Sequence, residues 1–299
     1  FSIIADEGKG SATISKEGLV EAEGVIIAIG LNSNGEGSLT VTGSNSTLNA
    51  NELFVGYFGK GSITIANGGL VMAKNVNRDK NSLLSEISFD NGTLELTANQ
   101  PALFNNFTTD NKINLANGGG TIDTNNFDIT VFDEARIIGT GNFTKAGTGK
   151  LSMNSATKAW TGNTNINQGT LQLNGNYIMR NGEVLGIGLN SLTDYGQLKV
   201  LGNADISKGT LMVNASNAVQ NLTGGPTWNN VVSANSLNSK FSAVSDNSPL
   251  VSFVADYSDA NRVHLKMIAP VDPVDPVDPV DPVDPVDPVD PVDPVDPVD

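Results

Sequence analysis

The single histidine, His264, and the absence of cysteine restrict the chemistry open to this chain of 299 residues. Without cysteine, a catalytic thiol, a disulfide scaffold and a cysteine-ligated metal site are all excluded. A nucleophilic serine activated by histidine would have to use His264. This residue lies in "NRVHLKM", where Arg262, His264 and Lys266 alternate with apolar residues, which predicts a solvent-facing position on a strand. One histidine also excludes metal sites built on paired histidines.

The carboxylates are spread along the chain rather than clustered. Enzymes that cleave polysaccharides need several carboxylates converging on one groove, often with calcium and a basic residue. The acidic residues considered for this role are Asp90, Asp123, Asp128, Asp133 and Glu134. Because these are scattered, no catalytic residue, cofactor site or metal site is predicted, and we expect that the chain is not an enzyme. A polysaccharide-degrading enzyme remains an alternative.

One basic cluster is a candidate binding element. The segment "AKNVNRDKN", Ala73 to Asn81, places Lys74, Arg78 and Lys80 in a predicted loop that interrupts the repeat pattern of the chain. Loops that project from a repetitive scaffold are common binding elements. The cluster could meet an anionic glycan or an acidic patch on another copy, or it could be a solvated turn in which Asp79 compensates the charge.

The acidic charge of the chain is concentrated at its C-terminal end. Ten successive Pro-Val-Asp triplets occupy residues 270–299 and hold ten of the 32 acidic residues. Proline at every third position prevents helix and sheet propagation and favours polyproline II, so residues 269–299 are predicted to be an extended linker. The remaining body has 17 basic and 22 acidic residues. This mild negative charge argues against nucleic acid as a partner.

The body is built from repeats. The patterns "GKGSATI" (Gly8–Ile14), "GEGSLTV" (Gly35–Val41) and "GKGSITI" (Gly59–Ile65) return with spacings of 27 and 24 residues. A second pattern follows downstream as "GTLEL", "GTID", "GTLQL" and "GTLMV". In both patterns apolar residues alternate with small or polar ones, which predicts short strands with one face buried.

Short strands of this kind become stable when successive rungs stack and pair along their whole backbone. The predicted fold class is therefore all-β, a right-handed parallel β-helix of roughly ten rungs with Asn and Gly at its corners. An antiparallel sandwich or barrel is the alternative fold.

The stretch from Thr144 to Gly175, "TKAGTGKLSMNSATKAWTGNTNINQGTLQLNG", carries a more specific pattern. It has a lysine, Gly-x-Gly, an alternating Leu, an aromatic residue with Thr-Gly, and Ile-Asn-x-Gly-Thr-Leu. It resembles the passenger-associated transport repeat of bacterial autotransporters. The matching positions are Lys145, Gly147, Gly149, Leu151, Trp160, Thr161, Gly162, Ile166, Asn167, Gly169, Thr170 and Leu171. Within this match Lys145, Lys150 and Lys158 are interpreted as outward-facing.

The resemblance extends toward the C-terminus. Asp194–Val213 is similar to the C-terminal passenger region of that family, and Val254–Ile268 to its final hairpin. The predicted organisation is β-helix rungs over 1–175, further rungs and a cap over 176–268, and the linker. The resemblance implies a fragment of a protein displayed on the surface of a Gram-negative bacterium, with its outer-membrane β-barrel outside the fragment. It also implies that the last rungs fold first.

The sequence leaves three hypotheses for function open. The first is an adhesin that binds another copy of itself on a neighbouring cell, which causes aggregation and biofilm growth through many weak contacts. The second is an adhesin for host matrix protein or glycosaminoglycan, which would implicate Lys74, Arg78 and Lys80. The third is the polysaccharide-degrading enzyme.

Overall fold

The computed structural model of the chain describes residues 2–154 and 158–268, and it gives only the backbone for residues 2, 3 and 23–28. The predicted Pro-Val-Asp linker, residues 269–299, lies outside the described residues.

The described residues are almost entirely strands. In chain order they are β1 (Ser2–Ile4), β2 (Gly8–Ile14), β3 (Leu19–Ile29), β4 (Gly35–Thr42), β5 (Thr47–Val55), β6 (Lys60–Ala66), β7 (Leu70–Asn77), β8 (Leu84–Asp90), β9 (Gly92–Leu96), β10 (Gln100–Leu103), β11 (Lys112–Leu115), β12 (Gly120–Asp123) and β13 (Ile129–Val131). They continue as β14 (Ile137–Gly139), β15 (Phe143–Ala146), β16 (Lys150–Met153), β17 (Thr164–Ile166), β18 (Thr170–Leu173), β19 (Tyr177–Ile178), β20 (Val184–Leu189), β21 (Gln197–Asp205), β22 (Thr210–Ala215), β23 (Thr227–Leu237), β24 (Ala243–Asp246), β25 (Ser252–Asp256) and β26 (Arg262–Ile268). One short helix, α1 (Asn217–Gln220), lies between β22 and β23.

These strands form three sheets that run along one rod. The longest has eleven strands in the order β1-β3-β5-β7-β9-β12-β15-β17-β20-β22-β24, so its neighbours come from successive turns of the chain. A six-stranded sheet (β14-β11-β8-β6-β4-β2) and a nine-stranded sheet form the other faces. The nine-stranded sheet has the order β10-β13-β16-β18-β21-β23-β26-β25, and its ninth strand, β19, pairs with β21. Pairing between successive turns is parallel. The fold is therefore a parallel β-solenoid, which confirms the predicted fold class.

The core is a set of columns in which equivalent inward residues stack on one another. One column of the eleven-stranded sheet consists of Leu48, Val71, Leu94, Ile122, Lys145, Ile166, Ile187 and Val213. Its apolar members are at most 2% exposed. Each side chain of this size contributes roughly 1.5–3 kcal/mol when it leaves water. No single rung could bury such a face by itself, and stacking is what encloses it.

The corners between strands use the residues that tolerate a left-handed backbone. Asn45, Asn67, Asn91 and Asn125 have φ between 50° and 63° at such corners, as the sequence predicted. Gly56 has φ 77° at a further corner, and its nitrogen lies where a β-carbon on Gly61 would be. The second glycine of this "GKGS" motif thus lets the strand approach the preceding corner closely.

The C-terminal end of the rod departs from the repeat. Strand β26 pairs antiparallel with both β23 and β25, so the last residues form a hairpin, as the similarity of Val254–Ile268 implied. Trp228 is 1% exposed and packs against Phe253 with ring centroids 5.8 Å apart, which covers the open end of the core.

The solenoid has about eight turns. This number is close to the roughly ten rungs expected from the sequence. Within the described ranges, no helix has the length and hydropathy needed to cross a bilayer.

The tight corner at Gly61 gives a test of the packing. We expect Gly61→Ala to lower the free energy of unfolding by roughly 1–3 kcal/mol, because the added methyl group overlaps the backbone of Gly56. Urea unfolding followed by circular dichroism measures the change. Ser62→Ala on the outward side of the same strand is the matched control. Equal stability of the two variants would contradict the close approach.

Candidate interaction surface and buried charges

The outward side of the six-stranded sheet carries charges that alternate in sign from rung to rung. Strands β2, β4, β6, β8 and β11 contribute Lys9, Glu36, Lys60, Glu86 and Lys112 in that order. We call these five residues the charged face. Lys9, Glu36 and Lys60 lie in one column, and Glu86 and Lys112 lie in the adjacent outward column.

Neighbouring members of the charged face are paired. The Nζ atoms of Lys9 and Lys60 lie 2.9 Å and 2.8 Å from the carboxylate oxygens of Glu36, and Lys112 Nζ lies 3.4 Å from Glu86 Oε1. The hydrogen bond from Lys60, with that from Lys9, lowers the pKa of Glu36 to about 2. Glu36 therefore keeps its negative charge at acidities that half-protonate an ordinary glutamate. All five side chains remain accessible, from 36% exposed for Glu36 to 84% for Lys9.

A shallow groove of about 430 Å³ follows this face. Its floor is made of small residues, because glycine and serine follow each of the first three charged positions in the "GKGS" and "GEGS" motifs. The stacked serines Ser11, Ser38 and Ser62 point outward and add hydroxyl groups to the lining. The groove is thus polar, open and flanked by both signs of charge.

The N-terminal repeats hold a sequence signal for this charged face. The second letter of the three N-terminal repeats is Lys, then Glu, then Lys. Because the repeats stack in register, this alternation alone predicts a charge ladder on one face.

The predicted binding cluster is not brought together as a loop. Lys74 lies on β7, where its side chain is exposed, and Lys80 is exposed in the turn that follows. Arg78 is only 8% exposed and donates hydrogen bonds to the carbonyl oxygens of Asn106 (2.8 Å) and Ser82 (2.6 Å). The prediction of a loop was wrong for Lys74, because β7 continues through Asn77, whereas Arg78 and Lys80 lie in the connection between β7 and β8. Arg78 does not project from this connection, since its hydrogen bond to Asn106 ties two neighbouring turns together. Binding by Lys74 and Lys80 stays a prediction.

Two other sequence interpretations concern single side chains. Phe104 and Phe107 are fully buried with ring centroids 5.9 Å apart, as expected for residues packed on the rung edge. His264 does face outward between the exposed Arg262 and Lys266, but its side chain is only 13% exposed. Its Nδ1 atom lies 3.0 Å from Asn229 Oδ1. The prediction that His264 lies on the outward face of the strand was therefore right, but the side chain is largely covered rather than solvent-exposed.

Within residues 2–154 and 158–268, no three His, Asp or Glu side chains are grouped as a metal site would require.

The twelve motif residues between 145 and 171 occupy core, corner and pairing positions. Leu151, Trp160, Ile166 and Leu171 are at most 2% exposed, and Thr170 lies beside Leu171 on β18. A β-carbon on any of the four motif glycines would collide with the backbone of the preceding rung; these are Gly147, Gly149, Gly162 and Gly169. Thr161 and Asn167 donate backbone hydrogen bonds to the carbonyls of Gly139 and Lys145.

Lys145 is buried within the apolar column of the eleven-stranded sheet. Its neighbours in the column are Ile122 and Ile166, and the residue is 0% exposed. Its Nζ donates to Thr124 Oγ1 (2.9 Å), Ala146 O (2.9 Å), Gly147 O (2.5 Å) and Gln168 O (3.2 Å). Burial lowers the pKa of Lys145 to about 8, against a smaller opposing effect of Asp123.

A second buried charge lies one turn further along. Lys158 Nζ is 2.8 Å from Glu183 Oε1, and the two side chains are 3% and 2% exposed. The ammonium group lies 5.2 Å from the ring centroid of Trp160, and the Tyr177 hydroxyl lies 3.4 Å from the same Glu183 oxygen. Burial lowers the pKa of Lys158, while Glu183 opposes that shift. Burial also raises the pKa of Tyr177.

The interpretation of these lysines as outward-facing was thus wrong for Lys145 and Lys158, while Lys150 is 42% exposed. For Lys145 a signal existed, since it alternates in phase with the buried Phe143 in "FTKA". For Lys158 no periodic pattern indicated burial, because its partner Glu183 comes from the next turn.

Breaking the buried pair should be costly. We expect Glu183→Gln to lower the free energy of unfolding by roughly 3–5 kcal/mol, because the Lys158 ammonium is left buried without a counter-charge. The matched control is Asp128→Asn, which removes the exposed pair with Lys150 (3.4 Å) and should have no measurable effect. Equal urea midpoints for the two variants would refute a buried ion pair between Lys158 and Glu183.

The lowered pKa of Lys145 predicts a pH dependence. Between pH 8 and 10.5 the folded protein releases the proton that the unfolded chain still binds, so stability rises with pH across this window. Relative to Lys145→Met, the wild type should gain on the order of 3 kcal/mol over that range. Urea unfolding of both proteins at pH 7, 8, 9 and 10 measures the difference. A constant difference would show that Lys145 has an ordinary pKa.

Comparison with known proteins bears on the same repeat. A family model described as the passenger-associated transport repeat matches residues 143–173, the segment that contains both buried lysines. The chain is 44% identical over 71 residues to the "Uncharacterized lipoprotein YdeK" of Escherichia coli (strain K12). That similarity covers 24% of this chain and 5% of the relative, so the chain spans a small part of that protein's length. No solved structure shows a significant match.

The match to the transport repeat and the similarity to a lipoprotein together suggest an extracellular or cell-surface protein. The transport repeat and the parallel β-solenoid around it together fit an autotransporter passenger domain.

Proposed function

We propose that this passenger is a non-catalytic adhesin of the Gram-negative outer-membrane surface that binds a second copy of itself on a neighbouring cell. The observation that supports this proposal is the charged face, in which five successive rungs present positive, negative, positive, negative and positive groups. Because the spacing between rungs is about 4.8 Å, the charges form a ladder of fixed pitch.

Such a ladder is complementary to itself when one copy is displaced. Rods that extend from two opposed cells meet antiparallel, and an antiparallel copy presents the same order of signs. In register, like charges would face each other, which is unfavourable. A displacement of one rung brings four pairs of opposite charge together instead. The contact is therefore expected to be staggered and symmetric.

The pairing within one copy favours this contact. Glu36 is held between the ammonium groups of Lys9 and Lys60, so three side chains are partly ordered before a partner arrives. Ordering in advance reduces the entropy lost on binding. A single exposed ion pair contributes little, so adhesion depends on many copies acting together on each cell.

Adhesion to host matrix or glycosaminoglycan remains the second candidate from the sequence. Because Arg78 is buried, Lys74 and Lys80 are the exposed basic residues of the predicted binding cluster. The charged face mixes glutamates with its lysines, which favours a partner of mixed charge over a uniformly anionic glycan.

Charge complementarity can be tested with two variants displayed through a β-barrel on a non-aggregating strain. The first makes the face wholly positive, Glu36→Lys with Glu86→Lys. The second makes it wholly negative, Lys9→Glu with Lys60→Glu and Lys112→Glu. We expect neither variant to settle alone, and we expect a mixture of the two to settle, because opposite faces attract.

The matched control reverses exposed charges elsewhere, Lys199→Glu with Lys208→Glu, and should settle like the wild type. Labelled bare cells added to each culture should stay in suspension if binding requires the passenger on both cells. Settling of either single-sign variant alone, or no settling of the mixture, would contradict the charged face. Capture of displaying cells by immobilised matrix protein or heparin instead would support the second candidate.

A further inference from the structure

The buried Lys145 lies where the stacked rungs are hardest to tell apart. In the eleven-stranded sheet the two strands that precede it share near-identical patterns, "GTLEL" on β9 and "GTID" on β12, and the pattern returns as "GTLMV" at β22. A rung that stacked on the wrong neighbour, or slipped by two residues, would keep apolar residues inside and polar residues outside. Packing of Leu and Ile alone therefore discriminates weakly between alternative registers.

Lys145 does discriminate, because two of its acceptors belong to other rungs. Ala146 O and Gly147 O move with the lysine, whereas Thr124 Oγ1 comes from the preceding rung and Gln168 O from the following one. A two-residue slip moves those two acceptors by roughly 7 Å along the strand direction. The ammonium group would then be buried with half of its partners.

Stacking on the wrong rung is penalised in the same way. Two positions after the column residue, β12 is followed by Thr124, which is buried and accepts from Lys145. The equivalent position on β9 is Leu96, which is 0% exposed and offers no acceptor. If β15 skipped β12 and paired with β9, Lys145 would therefore face a leucine side chain.

Buried polar groups with these properties lower stability and specify register, as single polar residues do in coiled-coil interfaces. We propose that Lys145 is a register lock, which permits β15 to add to the growing stack only between β12 and β17. This role concerns assembly of the solenoid and does not depend on the proposed adhesion.

The proposal can be tested directly because the chain has no cysteine. Cysteines at Thr121 and Thr144, which are direct neighbours on β12 and β15, report the native register. Cysteines at Thr93 and Thr144 report a skipped rung, and those at Thr144 and Asn167 report a two-residue slip between β15 and β17. In the native stack the last two pairs are roughly 8–10 Å apart. A disulfide needs Cα atoms within about 7 Å.

Each pair is introduced into the full chain with and without Lys145→Met. The proteins are unfolded in urea, refolded under reducing conditions and then oxidised, and cross-links are read by mass spectrometry. With Lys145 present we expect only the native cross-link. In the Lys145→Met proteins we expect the skipped or slipped cross-link to rise severalfold above its level in the proteins that keep Lys145. We expect the urea midpoint of these variants to stay equal or to increase. Ile166→Met, in the same column, is the matched control and should give the native cross-link alone.

A purely structural role gives a different result. If Lys145→Met lowers the urea midpoint and still forms only the native cross-link, the register lock is refuted. If that variant does not fold, Thr124→Val removes the acceptor on the preceding rung and leaves the lysine in place. Non-native cross-links in Thr124→Val support the proposal, and native cross-links alone overturn it.

Discussion

The hydrogen bonds between successive rungs are the constraint on which the rest of this structure depends. A parallel ladder holds each residue directly against its counterpart in the next rung, so every position of the repeat becomes a column along the rod. The residue at one position therefore contacts the equivalent residues of the rungs above and below it, and its polarity affects theirs. Apolar columns form the core, and polar columns form extended surfaces of regular pitch.

Charge has opposite consequences on the two sides of this ladder. On the outside, Lys9 donates a hydrogen bond to Glu36, and this bond raises the pKa of Lys9. The two charged side chains therefore order each other in water. On the inside, burial lowers the pKa of Lys145, and its ammonium group is stabilised by carbonyl and hydroxyl oxygens with a smaller effect of Asp123. The outward column suits recognition of another molecule, whereas the inward position suits recognition of one rung by the next.

Part of this arrangement could be predicted from particular residues. The "GKGS" repeats and the alternation in "GTLQL" predicted the stacked strands, and asparagines such as Asn67 predicted the corners. The parity of Lys145 with Phe143 would also have predicted its burial. The pair between Lys158 and Glu183 was beyond such reasoning, because its two members are 25 positions apart and meet only through the stacking of turns. Arg78 likewise reads as a loop charge until Ser82 and Asn106 are placed around it.

The sequence by itself determined the repeat, the period of its strands, the apolar columns and the presence of the transport-repeat motif. These follow from local alternation and from turn residues, whose effects extend over a few positions. Only the tertiary structure decided which charges lie on the exposed face and which are buried, and which rungs a buried lysine joins. The reason is physical. The solvation of a lysine depends on residues some twenty positions away, and these become its neighbours only when one turn is laid upon the last.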